Sequence, residues 1–385
     1  GWRELHRATE ASRANSVGVK PVYTVAAFDS PSHEKARADK VLPEGDVFQE
    51  LRDDWRTFVH LQLCTGTFWV SGAVHRGTTG KTLRGRGPST VIKFIPFVPP
   101  SGGESLVSTG DDPRGVSISD FMVDGNRLKP DGSNNQFPTD PNGNANQHFG
   151  LYVSNPNINW TPDMDGIQIF NIWMRQVGTC GLLMENVQGA SVFNIQMQDI
   201  GSFGGAHAMF WLKNVRRSSF GMLNGRVGNI GMRLIDSYKN NINCNFATID
   251  DEGIVFDGPN TKHNTLSNSV VTDVGGPCLR FQDDPSHNQV ASCVFTGGSN
   301  EFRAPENTAP KANIHIDSAH DNIFQGVTVR KDSLPYKSDY GFWVGNGPNN
   351  RLVGCDLQDS VAVDALYDPN SHLKLRSVVG NDGNW

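Results

Sequence analysis

The sequence lacks several features that would assign it to a common functional class. No run of about 18 apolar residues occurs, so the sequence predicts no membrane-spanning helix. No basic stripe occurs and the formal net charge is −6, which argues against a nucleic-acid partner. The first ten residues, GWRELHRATE, lack both an initiator methionine and the apolar core of a signal peptide.

A helical period is missing from about residue 59 onward, and turn residues are abundant instead. The chain has 41 glycines, and asparagine is plentiful in its second half. Short segments alternate apolar and polar side chains, which is typical of half-buried β-strands. The sequence therefore predicts an all-β protein built from many short strands.

Five segments repeat along the second half of the chain, and each has an asparagine near its start. They are NNINCNFATIDDE, HNTLSNSVVTDVG, HNQVASCVFTGG, DNIFQGVTVRKD and NNRLVGCDLQDS, with the shared position at Asn241, Asn264, Asn288, Asn322 and Asn350. One such coil cannot bury its inner face, but stacked coils can, through parallel ladders about 4.8 Å apart. Asparagine amides can bond the copies above and below. The repeat predicts a parallel β-helix; a leucine-rich repeat would need leucines at fixed offsets and a helix in each unit.

Two helices are predicted before the repeats, in HEKARADKVL and in DVFQELRDDWRTF. The second has Asp46 as its expected N-cap and Gln49 at the capping-box position. It places four apolar side chains on one face: Phe48, Leu51, Trp55 and Phe58. Such a helix would cover the open end of the coil stack. The predicted organisation is an N-terminal segment with the capping helix (1–58), a parallel β-helix (59–375) and a tail (376–385).

Several motifs between residues 22 and 126 carry a family resemblance: AAFDSPSHEKARADKV followed by GD and a helix, then LQLCTGTFWVSG, TLRGRGPSTVIKF and ISDFMVDGN. They resemble the N-terminal half of pectate-lyase-like right-handed β-helix proteins, in particular bacteriophage tail and tailspike proteins and secreted carbohydrate-active enzymes. The resemblance implies a single-stranded right-handed parallel β-helix, a polysaccharide or cell-surface glycan as partner, and an extracellular, secreted or virion-associated location. It also implies a homotrimer, which a polar face with Trp173, Trp211 and Trp343 supports. The NTD, GHG and DPHE motifs of its enzymes are absent, so no catalytic residue is carried over.

The six cysteines include no CxxC pair, which argues against a zinc ribbon or a thioredoxin-type site. Most of them lie in alternating apolar segments, so we expect buried thiols without disulfides. Cys293 and Cys355 share one inward column, with the coil of Val327 between them, and a gap of about 10 Å is too wide for a disulfide. The sequence predicts no metal site and no cofactor.

Aligning the coils predicts a column of charged residues at the turn after each asparagine-led strand. It contains Asp199, Arg226, Asp251 and Asp273 on consecutive coils, with Asp250 as the alternative to Asp251. Like charges one coil apart repel, which raises the pKa of a carboxyl group as a general acid requires. The alternative is that these acids are turn residues, since aspartate before glycine is common in turns.

Three insertions are expected to leave the scaffold at this same turn: NRLKPDGSNNQFPTDPNGNANQ, SNEFRAPENTAPKA and SLPYKSDY. The coils between them have short turns. Because binding sites in repeat proteins often lie where insertions cluster, the sequence predicts a groove with acids on its floor and loops at both ends.

A second outward column is predicted on the other strand of each coil: Leu183, Trp211, Arg233, Val255, Arg280, His315 and Trp343, beside Glu185, Lys213, Asp257, Gln282 and Asp317. Indole rings stack on sugars and guanidinium groups bind carboxylates. The predicted substrate-binding residues are therefore Arg226, Glu252, Trp211, Arg233, Arg280, His315 and Trp343. The alternative is an ordinary solvated β-face.

Two classes of function fit this pattern. The first is a polysaccharide-degrading enzyme, with Asp251 as acid and Asp273 or Asp199 as base or nucleophile. Asp251 and Asp273 are expected about 5 Å apart, as in retaining glycosidases, and Asp199 and Asp251 about 10 Å apart. A hydrolase is favoured over a lyase, because a lyase needs cationic groups for a uronate and only Arg226 is suitable. The second class is a phage tail or surface adhesin that binds glycan, or builds the particle, without catalysis.

Overall fold

The structure is a computed structural model, and it describes residues 22–75, 79–95, 105–109, 113–127, 149–156, 165–201, 208–299, 311–330, 339–357, 364–368 and 373–378. Its strands lie in two sheets of 19 and 11 strands, and every strand pair among these residues is parallel. Successive coils of the chain contribute one rung after another to both sheets, so the predicted parallel β-helix is confirmed. No helix of the described residues is long and apolar enough to cross a membrane.

The 19 strands of the large sheet run along the whole stack. They are β1 Tyr23–Ala26, β2 Lys40–Val41, β3 His60–Leu63, β4 Gly66–Val70, β6 Thr82–Arg84, β7 Thr90–Phe94, β9 Ser117–Asp124, β11 Gln168–Val177, β13 Ser191–Ile200, β15 Ser219–Gly228, β17 Asn241–Ile249, β19 Thr265–Ser267, β20 Val270–Val274, β22 Gln289–Ala291, β23 Val294–Thr296, β25 Ile323–Gln325, β26 Thr328–Arg330, β28 Asn350–Val353 and β30 Leu373–Arg376.

The 11 strands of the small sheet follow the turns that leave the large sheet. They are β5 Val74–His75, β8 Ser105–Ser108, β10 Phe149–Ser154, β12 Cys180–Glu185, β14 Ala208–Lys213, β16 Ile230–Ile235, β18 Ile254–Asp257, β21 Leu279–Gln282, β24 Ala312–Ser318, β27 Tyr340–Asn346 and β29 Asp364–Tyr367. A third, narrow ladder of single bridged residues lies at the corner between the small sheet and the next large-sheet strand: Gln188, Arg216, Tyr238, Lys262, Ser286 and His320.

Residues with left-handed backbone recur at the same corners of successive coils. One such column ends the large-sheet strands, with φ between 53° and 61° at Gln176, Asp199, Val227, Thr248 and Asp273. Asparagine and aspartate tolerate this conformation better than most residues, because their short side chains bond the local backbone. The abundance of Asn, Asp and Gly in the sequence is thus largely a requirement of the corners.

A ladder of buried asparagines runs through the coils, as the repeat predicts. Each Nδ2 donates to Oδ1 of the next member, at 2.9 Å from Asn240 to Asn264 and 3.0 Å from Asn264 to Asn288. Asn322 and Asn350 continue it, and all five members are at most 1% exposed. The first member is Asn240 and not Asn241, which is exposed, so the predicted position was wrong by one residue there.

The N-terminal helices differ in detail from the prediction. HEKARADKVL forms only the short helix α1 (Ser32–Lys35) before β2 begins. Helix α2 (Phe48–Thr57) has Val47 at the N-cap position, although the Asp46 carboxylate accepts a bond from the backbone N–H of Phe48 at 3.1 Å.

The predicted apolar face of α2 packs into the core. Leu51 and Trp55 are fully buried in the same apolar cluster as the first coils of the stack, and Phe48 packs against that cluster. The helix therefore caps the stack, while the predicted boundary at residue 58 remains a prediction. Strand β1 already pairs with β3 in the large sheet.

The six cysteines all lie within the described residues, and each is fully buried without a disulfide, as expected. Cys293 and Cys355 belong to one inward column with Val327 between them, because Thr328 N–H donates to Cys293 O and Asp356 N–H donates to Val327 O. The inward residues form one continuous apolar cluster along the stack.

Candidate active site

The turn that carries Asp250, Asp251 and Glu252 leads from β17 of the large sheet to β18 of the small sheet. Asp250 is exposed, Asp251 is half-buried and Glu252 is 7% exposed. Backbone bonds fix the turn: Asp251 N–H donates to Asn229 O, and Asp251 O accepts from Gly276 N–H on the next coil. Glu252 thereby reaches the outer face of the small sheet.

The predicted second column is confirmed in its register. The small-sheet ladder pairs its members coil by coil: Leu183, Trp211, Arg233, Val255, Arg280, His315 and Trp343. Strict alternation along these short strands makes the column readable from sequence. Lys213 lies over the indole of Trp211, 4.2 Å from its centroid, and bonds Glu185 at 3.0 Å.

Arg280 is the centre of a charged cluster on this face. Its Nη1 donates to the Glu252 carboxylate, and its Nε donates to Asp317 Oδ2 at 2.7 Å. The other oxygen of Asp317 lies 2.9 Å from Nε2 of His315, a side chain only 1% exposed. Trp343 packs edge-on against the His315 ring with centroids 4.4 Å apart. One arginine thus joins the acidic turn to two neighbouring strands.

A second arginine extends the cluster by one coil. Arg233 holds Asp257 through Nε at 2.9 Å and Nη2 at 2.5 Å, and Asp257 is 6% exposed. Partial desolvation and the Asp257 carboxylate raise the pKa of Asp283, an exposed residue that belongs to neither predicted column. The cluster holds five carboxyl groups (Asp251, Glu252, Asp257, Asp283, Asp317) against two guanidinium groups, so the carboxyl groups are in excess.

Burial and this excess of carboxyl groups raise the pKa of Asp251. Burial and the neighbouring Glu252 raise the pKa of its carboxyl group to about 6, with a smaller contribution from Asp250, although Arg280 and Arg233 act in the opposite direction. Asp317 differs: burial raises its pKa, but His315 and Arg280 outweigh burial and lower it. Carboxyl groups with opposite pKa shifts around one arginine are an arrangement suited to acid–base chemistry.

The other members of the predicted acid column lie elsewhere, so the predicted alignment was wrong. The ladder places Arg226 against Gln198 and Ala247, one residue before the corner, so it does not share a column with Asp199. Asp199 sits in the left-handed corner, where Arg127 Nη2 bonds its carboxylate.

Asp273 occupies the same left-handed corner as Asp199, opposite Thr248. Asp251 lies three residues further along its own coil, against Gly276. The expected pairing of Asp251 with Asp273 on adjacent rungs, and the separation of about 5 Å derived from it, are therefore incorrect. The catalytic roles assigned to Asp199, Asp250 and Asp273 remain predictions.

Arg226 instead lines a groove on the outer face of the large sheet, with a volume of about 720 Å³. Two rows of side chains border it: Trp173, Gln196, Asn224, Asn245 and Val270 in one, and Arg175, Gln198, Arg226, Ala247 and Thr272 in the other. No carboxylate occurs among the described residues that line it. Asn245 Nδ2 donates to Asn224 Oδ1 at 3.2 Å, which links neighbouring coils along the groove.

Each of the three insertions lies between a large-sheet strand and the small-sheet strand that follows it. The chain passes from β9 to β10, from β23 to β24 and from β26 to β27 at these points. The short turn with Asp251 lies between the first and the second. The predicted loop walls themselves fall mostly on 128–148, 300–310 and 331–338, which lie outside the described residues.

No family model and no curated protein sequence matches the chain, but several solved structures match it. DFA-IIIase from Arthrobacter chlorophenolicus A6, without its lid, has a TM-score of 0.62 at 12% identity, with 94% of this chain and 99% of that chain covered. A mannuronan C-5 epimerase A-module from Azotobacter vinelandii has a TM-score of 0.53 at 14% identity, with 88% and 96% covered.

Full-length tailspike protein 2 from an Escherichia coli bacteriophage has a TM-score of 0.56 at 12% identity, with 88% of this chain and 45% of that chain covered. The chain has the pectate-lyase-like right-handed parallel β-helix fold. This β-helix thus spans less than half of the tailspike but almost the whole of the two enzymes. At such low identity the likeness concerns the fold, and the chemistry must be argued from the site.

Proposed function

We propose that this β-helix is an extracellular or virion-associated enzyme that cleaves a polysaccharide, with Asp251 as its general acid. The raised pKa of Asp251, to about 6, is the observation that carries the proposal. A carboxyl group with this pKa is still largely protonated in mildly acidic solution and can donate to a glycosidic oxygen. A polysaccharide substrate is supported by the similar mannuronan C-5 epimerase, and a virion-associated location by the similar phage tailspike.

Asp317 is the carboxylate proposed to act with Asp251, because its lowered pKa keeps it ionised where Asp251 is protonated. Arg280 bonds Asp317 directly and lies close enough to Asp251 to lower its pKa. Trp343 and Trp211, at either end of the cluster, are proposed to stack on sugar rings.

Hydrolysis is proposed over elimination for an electrostatic reason. A lyase must neutralise the carboxylate of a uronate, and guanidinium groups suit that task. In this cluster Arg233 already bonds Asp257, and Arg280 already bonds Glu252 and Asp317. Neither arginine is therefore available to a uronate without breaking an existing ion pair.

The test is a panel of bacterial surface polysaccharides, followed by reducing-end release and by ultraviolet absorbance of unsaturated products. We expect reducing ends without unsaturation, and a rate that falls above about pH 6 as Asp251 ionises. Asp251→Asn should lower the rate at least a hundredfold, while Asp250→Asn, in the same turn but exposed, is the matched control. Full activity in Asp251→Asn together with loss in Asp273→Asn would refute the assignment.

Glycan binding without cleavage is the second candidate, and the groove on the large sheet favours it. The groove presents an indole, several amides and two guanidinium groups in rows that follow the helix axis. Such groups bind sugar hydroxyls and ring faces but offer no acid or base. Under this alternative Trp173→Ala abolishes glycan binding, no product is released, and Asp251→Asn binds as well as the wild type.

A further inference from the structure

We propose that His287, His320 and Asp321 form a binding site for a divalent transition-metal ion such as Zn²⁺. The three side chains each offer one donor atom, and the donors lie within 4.8 Å of one another. They belong to two consecutive coils, at the corner where the small sheet ends. This corner is separate from the turn that carries Asp251.

The backbone holds these residues in register. Ser286 and His320 are bridged in the narrow ladder, and His287 N–H donates to His320 O at 3.3 Å. The two coils are also joined one or two residues further on, where Asn288 Nδ2 donates to Asn322 Oδ1 at 3.1 Å in the buried ladder. Donors on such a fixed frame need little ordering before an ion binds.

The donor separations fit an ion between them. His320 Nδ1 lies 2.8 Å from Asp321 Oδ2, and His287 Nε2 lies 4.0 Å from the same oxygen. Bonds of about 2.0–2.1 Å in a tetrahedral site put donors roughly 3.3 Å apart. The first separation must open by about 0.5 Å and the second must close by about 0.7 Å.

Asp284 lies on the side of His320 where metal-bound histidines commonly have a carboxylate partner. Its Oδ1 lies 3.7 Å from Nε2 of His320, the ring nitrogen that points away from Asp321. Without an ion, Nδ1 of His320 shares a proton with Asp321 Oδ2 at 2.8 Å, and an ion that binds Nδ1 must displace this proton. The ring would then carry its proton on Nε2, where Asp284 can accept it after a small movement. Asp284 is therefore a positioning residue for His320, not a ligand.

The types of donor atom at this corner indicate which metal ions it would bind. Two imidazole nitrogens and one carboxylate suit Zn²⁺, Co²⁺ or Ni²⁺, whereas Ca²⁺ and Mg²⁺ require oxygen ligands. His287 and His320 are half and one-third exposed in their side chains, so ions enter directly and water completes the coordination. The sequence predicts no metal because 33 residues separate the two histidines, yet His263, His287 and His320 recur in KHN, SHN and AHDN.

An ion at this corner would clamp two coils that matter for the candidate active site. Strand β21, with Arg280, leads into the turn with Asp284 and His287, and strand β24, with Asp317, leads into His320 and Asp321. The insertion SNEFRAPENTAPKA, at residues 299–312, also lies between these two coils. The metal would act by holding these turns together and would take no part in the reaction.

The test is calorimetric titration of the full chain with ZnCl₂ after treatment with a chelator, together with the visible spectrum of the Co²⁺ form. We expect one ion per chain, a higher unfolding temperature with Zn²⁺, and no response to Ca²⁺ or Mg²⁺. His287→Ala and His320→Ala should each weaken Zn²⁺ binding at least tenfold, and Asp284→Asn about tenfold.

His263→Ala is the matched control, because the centroid of the His263 ring lies 5.2 Å from that of His287 but His263 lies outside the donor set. It should bind Zn²⁺ like the wild type. Circular dichroism establishes that each variant is folded; should His320→Ala fail to fold, His287→Ala, an exposed site, decides alone. Absence of Zn²⁺ binding, or unchanged binding in folded His287→Ala, would leave His320 and Asp321 as a simple ion pair and overturn the proposal.

Discussion

Replacing Asp251 by asparagine should stabilise the folded protein at neutral pH, whatever the substrate. The pKa of Asp251 rises from 3.8 to about 6 on folding, because burial and Glu252 disfavour its charge. A shift of about two units corresponds to at most about 3 kcal/mol at pH 7. Solvent screens a half-buried group, so we expect the variant to gain about 1 kcal/mol.

The gain should depend on pH in a defined direction. A carboxyl group with a raised folded-state pKa binds more protons in the folded than in the unfolded state between about pH 4 and pH 6. The free energy of unfolding of the wild type therefore falls as the pH rises through this window, and that of the asparagine variant falls less. Below pH 4 both forms are uncharged at this position, and the difference should vanish.

The assay is urea unfolding of wild type and Asp251→Asn, followed by circular dichroism at several pH values between 4 and 7.5. Asp250→Asn is the matched control, since that side chain is exposed in the same turn and should change the midpoint little at any pH. A stability difference that is absent at pH 7, or that is constant over the whole range, would refute the reasoning about Asp251.

Three further predictions follow from other parts of the fold. Asn264→Ala removes a member of the buried amide ladder and should cost about 3 kcal/mol by urea unfolding, whereas Asn241→Ala, exposed at the start of its strand, should cost less than about 0.5 kcal/mol. Arg280→Gln leaves the carboxylates of Glu252 and Asp317 without their arginine partner and should lower the free energy of unfolding by about 2–3 kcal/mol. Arg330→Gln, which breaks an exposed ion pair, should lower it by at most about 1 kcal/mol. Equal losses would contradict the central role of Arg280. We expect a homotrimer, and sedimentation of a 42.1 kDa species at micromolar concentration would reject it.

The small sheet could be aligned from the sequence, and the large sheet could not. In the small sheet the outward residues keep their register over every coil, because its strands are short and no corner interrupts them. The large-sheet strands contain left-handed residues, and β15 has ten residues where β17 has nine. A slip of one residue moves a side chain to another column, and this explains the misplacement of Arg226 beside Asp199.

The grouping of charges could not be predicted for a different reason. Glu252 and Arg280 meet because the turn after β17 enters the small sheet beside the following coil. That contact depends on the path of a turn, and periodicity says nothing about turn paths. The sequence pattern therefore predicts Asp251 and Arg280 in two separate columns, as alternative sites. The structure joins the two columns at this turn.

The fold itself does not require charge at these positions. Glu252 occupies the column position held by Phe149, Cys180, Ala208 and Ile230 on earlier coils, all of them apolar and nearly buried. Arg280 likewise follows Leu183 and Val255 in its own column. The same backbone therefore accepts apolar side chains at both positions, and such residues would avoid the cost of burying charge. A stacked scaffold gains no stability from an excess of carboxyl groups that raises the pKa of Asp251. This departure supports the proposed role of the cluster, because natural proteins depart from local consistency chiefly at functional sites.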